Sequence, residues 1–390
     1  MIRKKINILY VLDTLFIGGA EQHVATLCKH IDKEKFHIAV CTLFSRNPNL
    51  REPLADEIRA LGIRVEQLAM CRWRDRLAIT QFLRLIDEEH IDIVHGHMVP
   101  ADFWGSFMAK IFRQRKTIYT CHQPFLKEGW AMRFQQLSLN IFLADRIVSV
   151  SEATTYFCSK ICHASPRKII KIPNAVDTDR FTPEVSGSSI RTELGLSDKV
   201  TVIGNIGRYT QEKGYPFFIE TAAKVAQTHH DARFLIVGHG YEHDKLNNMI
   251  GELGLKDRFF MTGPRRDIPE ILGAIDIFLF TSIWGEAFGI SLIEAMAAGK
   301  PIIAANVGPT REIIEDGVNG LLPYPKTWIQ ETDYLDADVL AKSVDYLIQN
   351  PHVRNQLGQE ARRQAVKRFS ITVLIKSIEA LYLTIMERPR

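Results

Sequence analysis

Two hydrophobic patterns alternate along the chain. Short β-branched and aliphatic runs at 6–12, 36–42, 91–95, 117–120 and 146–150 read as strands, and stretches with helical spacing lie between them, as at 20–30 and 78–89. The pattern then restarts. Strand-like runs recur at 200–207, 233–237, 258–262, 277–281 and 301–304, separated by helical stretches such as 216–227 and 289–298. Strands alternating with helices predict parallel sheets covered on both faces, so the fold class is α/β with two doubly wound domains. The seam falls at 173–192, where Pro173, Asn174, Pro183 and Ser186-Gly187-Ser188-Ser189 break both periodicities. The first run imitates a signal peptide, but Asp13 cuts it short and no small-residue cleavage site follows, so a buried strand is expected.

Composition narrows the classes. The 390 residues suit two domains, and 46% apolar with 24% charged residues excludes disorder. No run reaches the ~18 apolar residues of a spanning helix. Six cysteines (Cys28, Cys41, Cys71, Cys121, Cys158, Cys162) are too few for a disulfide framework and predict buried thiols in a reducing cytoplasm. Cys158, Cys162 and His163 are closely spaced but lack a matching second pair, so no zinc site is expected. Charge is uneven: residues 1–178 carry net +7 and residues 179–390 net −3. The basic half suggests an anionic partner such as a membrane surface or phosphorylated substrate, while an ordinary solvated face explains it equally well. No nucleic-acid motif is present.

Open α/β sheets bind ligands beyond the carboxyl ends of their strands, so the strand ends are where chemistry is sought. The first strand leads through Gly18-Gly19 to a helix starting at Ala20-Glu21, where amides favour an anion. Two strand ends carry His95-Gly96-His97 and Thr120-Cys121-His122. In the second half, Gly207-Arg208 and Lys213-Gly214 place two cations before a helix, a pattern that holds a diphosphate. Gly238-His239-Gly240 is only a fragment of a dinucleotide fingerprint. Glu286 lies in a loop, and Glu294 lies among Leu292, Ile293, Ala295 and Met296, where a carboxylate needs a partner. Ribose hydroxyls would supply one.

Glu286 and Glu294 with seven residues between them, followed by Ala-Met-Ala-Ala-Gly-Lys-Pro, resemble the signature of retaining glycosyltransferases of family 4 on the GT-B fold. Gly18-Gly19-Ala20-Glu21, His95-x-His97, Thr120-x-His122, Val150-Ser151, Ile172 to Asp177, Gly207-Arg208, Lys213-Gly214, Gly238-x-Gly240 and Val307-Gly308 through Asn319-Gly320 match in order. Ala175, Ala287 and Pro309 stand where the family usually has Gly. The resemblance implies two Rossmann-like domains facing across a cleft: an acceptor domain at 1–178, a nucleotide-sugar domain at 179–370, and a helix at 371–390 crossing back.

It further implies that Arg208 and Lys213 neutralise the diphosphate, with Gly207 beside it and amides of Gly18 and Gly19 reaching it. Glu294 would take the ribose. Glu286 would hold sugar hydroxyls with amides of Phe288, Gly289 and Ile290, and His122 would lie by the transferring sugar. The donor is a UDP- or GDP-sugar, and no cofactor or metal is expected; Asp177-Thr178-Asp179 imitates a metal motif of a different fold. The expected activity moves a sugar to a glycan or lipid-linked acceptor in polysaccharide or lipopolysaccharide synthesis, in the cytoplasm at the inner face of the membrane. A GT-B sugar-nucleotide 2-epimerase, or transfer to a soluble acceptor, is the alternative. Arg72-Trp73-Arg74-Asp75-Arg76 and the stretch 127–142 are candidates to face an anionic lipid-linked acceptor, unless Trp130, Phe134 and Leu137 pack inside the domain.

Overall fold

A computed structural model describes residues 5–16, 18–44, 52–70, 75–125, 129–283, 285–323 and 335–387. The chain forms two compact units. One comprises Met1–Asn174 with Ile371–Arg390, the other Ala175–Ser370.

The first unit is built on seven parallel strands: β1 (Ile6–Leu12), β2 (Phe36–Thr42), β3 (Arg64–Gln67), β4 (Ile93–His97), β5 (Lys116–Cys121), β6 (Arg146–Ser149) and β7 (Ile169–Lys171). Their order is β3-β2-β1-β4-β5-β6-β7. Ile8, Leu9, Tyr10, Val11 and Leu12 of β1 are all fully buried, as a central strand covered on both faces requires. Between β1 and β4 the winding reverses, which opens a crevice at the carboxyl ends. Gly18-Gly19 follows β1, His97 ends β4 and His122 follows β5, so all the histidine candidates and the glycine pair stand at that edge.

The second unit has five parallel strands: β8 (Thr201–Ile206), β9 (Ala232–Val237), β10 (Phe259–Met261), β11 (Ile277–Phe280) and β12 (Ile302–Ala304), in the order β10-β9-β8-β11-β12. Here the reversal lies between β8 and β11. The turn Gln211–Lys213 after β8 and the loop residues 281–283 after β11 therefore meet at one sheet edge. Tyr215, Phe218, Phe234, Ile236 and Leu279 fill the core behind it.

Candidate functional site

In the second unit, Lys213 sits at the end of a short 3-10 turn whose position is fixed by the strand end beside it. Thr281 Oγ1 donates to the Lys213 carbonyl at 3.0 Å, and Ile283 N donates to the Glu212 carbonyl at 2.9 Å. Gly214 has φ +61°, and a Cβ there would stand 2.1 Å from the Thr281 carbonyl oxygen; only glycine allows this approach. The lysine ammonium is thereby delivered to Glu286, with Nζ 2.5 Å from Oε2, and Ser282 Oγ donates to the same oxygen at 3.1 Å. Both side chains are largely enclosed. Arg208 is different: its side chain is 68% exposed and pairs with Glu212 at 3.2 Å. It is an exposed cation held by a single solvent-accessible carboxylate contact.

Gly289, at φ +98°, caps the helix Ile290–Ala297. The first helical hydrogen bond is given by Leu292 N, so the amides of Ile290 and Ser291 precede the ladder, the position at which a helix start favours negative charge. Phe288 anchors the loop, buried with its ring edge-on to Phe369 at 5.5 Å. One turn into the helix, burial pushes the Glu294 carboxyl up to about 7, and Arg180 only partly opposes this. No side chain among the described residues hydrogen-bonds that carboxylate.

The structure thus gathers Gly207, Arg208, Lys213, Glu286, Phe288, Gly289, Ile290 and Glu294 in one unit at the ends of β8 and β11. Ala175, Ala287 and Pro309 all lie outside the left-handed region, so they adopt ordinary backbone where the family has Gly. Asp177 Oδ1 accepts from the amides of Asp179 and Arg180, so it closes a turn. Among the described residues no group of three His, Cys, Asp or Glu converges as a metal set.

In the first unit His122 belongs to a cluster of four imidazoles. His97 Nδ1 lies 3.1 Å from His122 Nε2, the His95 ring lies tilted against His97 with centroids 4.4 Å apart, and His23 meets His122 edge-on at 5.3 Å. His95 is pinned by Tyr382 OH at 2.7 Å and Thr120 Oγ1 at 2.9 Å. Burial pulls His23 down to about 4 and His95 to about 3, and holds His97 and His122 well below the ordinary histidine value. All four are neutral at pH 7, so His122 offers a hydrogen bond and no charge. His23 was not singled out from sequence: it is one buried position of the helix Gly19–His30, and only the fold brings it to β5. Ser282 was likewise missed, although its place just past a strand end was a usable signal.

Gly18-Gly19 opens that same helix. The backbone of Gly18 is extended, and a Cβ there would stand 2.4 Å from Glu21 Oε2, the movable end of a side chain, so neither conformation nor space alone demands glycine. The Glu21 carboxylate stands beside Gly18 and is hydrogen-bonded by its own amide. Cys71 and Arg72-Trp73-Arg74 lie outside the described residues, as does Lys127. Of the two readings of 127–142, inward packing is corrected: Trp130 is 83% and Phe134 61% exposed, and Leu137 is half-buried.

Two parallel-sheet α/β domains of this kind are the architecture of the GT-B glycosyltransferases. Comparison with known proteins gives the family. Glycosyl transferases group 1 matches residues 188–364 and Glycosyltransferase Family 4 matches residues 17–180; the chain belongs to the group 1/family 4 glycosyltransferases these describe. It is 25% identical over 389 residues to the UDP-Gal:alpha-D-GlcNAc-diphosphoundecaprenol alpha-1,3-galactosyltransferase of Escherichia coli, covering 97% of both chains. It is 26% identical to spore coat protein SA of Bacillus subtilis, covering 94% of each. The crystal structure of Anabaena HepE in complex with UDP superposes with a TM-score of 0.82 at 22% identity, over 97% of this chain and 100% of that one.

Proposed function

We propose that the protein is a retaining hexosyltransferase that moves a sugar from a UDP-sugar to a glycan or lipid-linked acceptor, in polysaccharide or lipopolysaccharide synthesis. The observation that carries this reading is the pairing of Lys213 with Glu286 beside a helix N-terminus, one turn from the partnerless Glu294. A diphosphate entering there meets Lys213, Arg208 and the amides of Ile290 and Ser291. Lys213 then exchanges part of its bond to Glu286 for phosphate, and Glu286 turns its free oxygen to sugar hydroxyls. Ribose hydroxyls donate to Glu294.

As the glycosidic bond to phosphate breaks, negative charge grows on the leaving diphosphate. The two cations and the helix amides stabilise it more in the transition state than in the ground state. The cations do this without a resident metal, and we expect transfer to persist in excess chelator. Glu286 is tied to Lys213 and Ser282, and among the described residues of this unit no second carboxylate is hydrogen-bonded beside it, so same-face attack by the acceptor fits better than double displacement. For Gly18 and Gly19 we propose contact with the diphosphate, and for His122 contact with the transferring sugar. The E. coli relative's name supports both the UDP donor and an acceptor on a diphospholipid, and such an acceptor would draw the protein to the inner face of the membrane.

A thermal-shift panel of UDP-, GDP-, ADP- and dTDP-sugars tests the donor. The UDP-sugar stabilises by about 2.7 kcal/mol at 100 times its Kd, and no shift with any of the four overturns the reading. The anomeric configuration of the product tests retention. UDP-sugar turnover to an epimer without any acceptor would instead favour the epimerase.

A further inference from the structure

The second unit has a further cleft, at the sheet edge opposite to Lys213 and Glu286. Asp276 leads into β11 and Gly299-Lys300-Pro301 into β12, so the loops that form it stand at the amino ends of the strands. The helix Pro351–Phe369 supplies the other wall through Arg354, Asn355, Gln359 and Arg362. Gly358 draws that wall in: a Cβ there would stand 2.3 Å from the Gly299 carbonyl oxygen. The cleft encloses about 380 Å³, within the range of small-ligand sites. None of its lining residues belongs to the Lys213–Glu286 site, which stands at the carboxyl edge where open α/β sheets take their usual ligands. β11 and the helix Ile290–Ala297 each run from one site to the other, over roughly 12–13 Å.

Lys300, Arg354 and Arg362 line this space against a single carboxylate, Asp276. That carboxylate is already engaged: its Oδ2 lies 2.7 Å from Arg191 Nη2 and accepts from the Val202 amide at 2.8 Å. The cations are not engaged in the same way. Lys300 Nζ donates to the Gly273 carbonyl at 3.4 Å and has no carboxylate at ion-pair distance among the described residues. The Arg354 guanidinium has neither a hydrogen bond nor an ion pair among them. Arg362 Nη1 lies 2.7–2.8 Å from the carbonyl oxygens of Thr178, Phe181 and Ala297. It is thereby fixed in place and covers the negative end of the helix Ile290–Ala297, so that end does not oppose an incoming anion.

A lysine is seldom drawn inward without a partner. Burial pulls the Lys300 ammonium down to about 8, with Asp276 opposing the shift and Arg191 adding to it. A bound anion would supply the missing countercharge. The lining selects its chemistry. Arg354 offers a planar fork and Lys300 a point charge, which together suit a dianion with several acceptor oxygens, and a phosphate group is such a dianion. Asn355 and Gln359 add amides that serve the hydroxyls of an ester, and the volume leaves room for one.

We propose that the cleft between Lys300 and Arg354 binds a phosphate group, free or as an ester of a small polyol, at a site separate from that of the nucleotide-sugar. The proposal does not rest on the reading of the donor site. Its test uses the full chain, with inorganic phosphate and ribose 5-phosphate as probes at matched ionic strength, read by calorimetric titration. The wild type binds, and the tighter probe names the source. The double variant K300M/R354Q weakens that binding by at least about tenfold, the loss expected when charge-assisted contacts are removed. Methionine keeps the apolar stem of Lys300 and removes a charge held from water, so this variant keeps the wild-type melting temperature. K213A, at the other sheet edge, keeps the phosphate affinity. A second measurement needs no variant: acetylation of Lys300 by acetic anhydride, followed by peptide mass spectrometry, slows as the probe is added. Failure of both probes to bind the wild type overturns the proposal, as does wild-type affinity in K300M/R354Q. So does a probe that protects Lys213 and not Lys300, which would place the anion in the donor site.

Discussion

Lys213 and Glu286 illustrate what one residue pair can do in this protein and what sequence could say about it. Both were readable as site candidates from their loops, but the 2.5 Å bond between them was not, because it spans 73 positions and depends on β8 and β11 being neighbours. The bond changes the expected phenotype. Lys213→Ala and Arg208→Ala each lower transfer by about 10² to 10³, the effect of removing one preorganised charge contact. Arg208→Ala leaves the melting temperature unchanged, since that side chain is mostly solvated. Lys213→Ala lowers it, because Glu286 keeps only Ser282, and adding Glu286→Gln restores stability without restoring turnover. Wild-type turnover in either single variant would remove the diphosphate assignment.

Glu294 gives the pH dependence. Its folded value of about 7 lies above that of an unfolded glutamate, so the contribution of its protonated form to the free protein's stability is fully present below about pH 4.5 and is lost as pH rises through 7. Ribose hydroxyls donate more strongly to the ionised form, which accepts at both oxygens, so donor affinity changes the opposite way and weakens as pH falls through 7. Calorimetric titration of UDP from pH 5.5 to 8.5 should show this, and Glu294→Gln should flatten the profile while raising the melting temperature at pH 8.

At the scale of elements, the site is set by how closely strand ends approach one another. Gly238, at φ +150°, follows β9, and a Cβ there would lie 1.9 Å from the Gly207 carbonyl oxygen. Gly238→Ala must therefore push the β8 end away from the β9 end, at a cost of about 1–3 kcal/mol, visible as a lower urea midpoint. An unchanged midpoint would mean that this edge gives way freely. Donor affinity should fall with it, because Arg208 follows Gly207 directly. The central strands were legible because their pattern is unambiguous: β1 and β2 occupy 6–12 and 36–42, the limits their apolar runs give. Two edge strands were not. β3 reads Arg-Val-Glu-Gln with no fully buried side chain, and β7 is three residues long. Edge strands lack the two-sided burial that writes a hydrophobic run into sequence. The π turns at 139–143 and 157–161 left no periodic signal either, since a single wide turn shifts the helical phase only locally.

For the molecule as a whole, the decisive feature is that the first unit is made from two distant stretches of chain. The chain leaves it after Asn174 and returns at Ile371, and Val176 N donates to the Phe369 carbonyl at 2.8 Å where the two crossings meet. The returning helix Ile371–Glu387 buries Leu374, Ile375, Ile378, Leu381, Tyr382 and Ile385. Its Glu379 accepts from the Asp32 amide at 2.9 Å, and its Tyr382 ring packs edge-on to Phe36 at 5.8 Å. Tyr382 OH donates to Tyr10 OH at 3.1 Å and lies 2.7 Å from His95 Nδ1. The helix thereby supports the imidazole cluster that ends at His122. Tyr382→Phe keeps the ring but leaves His95 Nδ1 and Tyr10 OH buried without this partner, at a cost of about 1–3 kcal/mol in chemical denaturation. Ending the chain at Ser370 is far more severe, because it uncovers Phe36 and the neighbouring core, and the truncated protein should bind a hydrophobic dye and aggregate on heating. The unit 175–370 keeps its own core, so the thermal shift produced by the nucleotide-sugar should survive in Tyr382→Phe at its wild-type size. A Tyr382→Phe variant with full stability would show that the terminal helix is held by its apolar face alone and carries no support to the histidines.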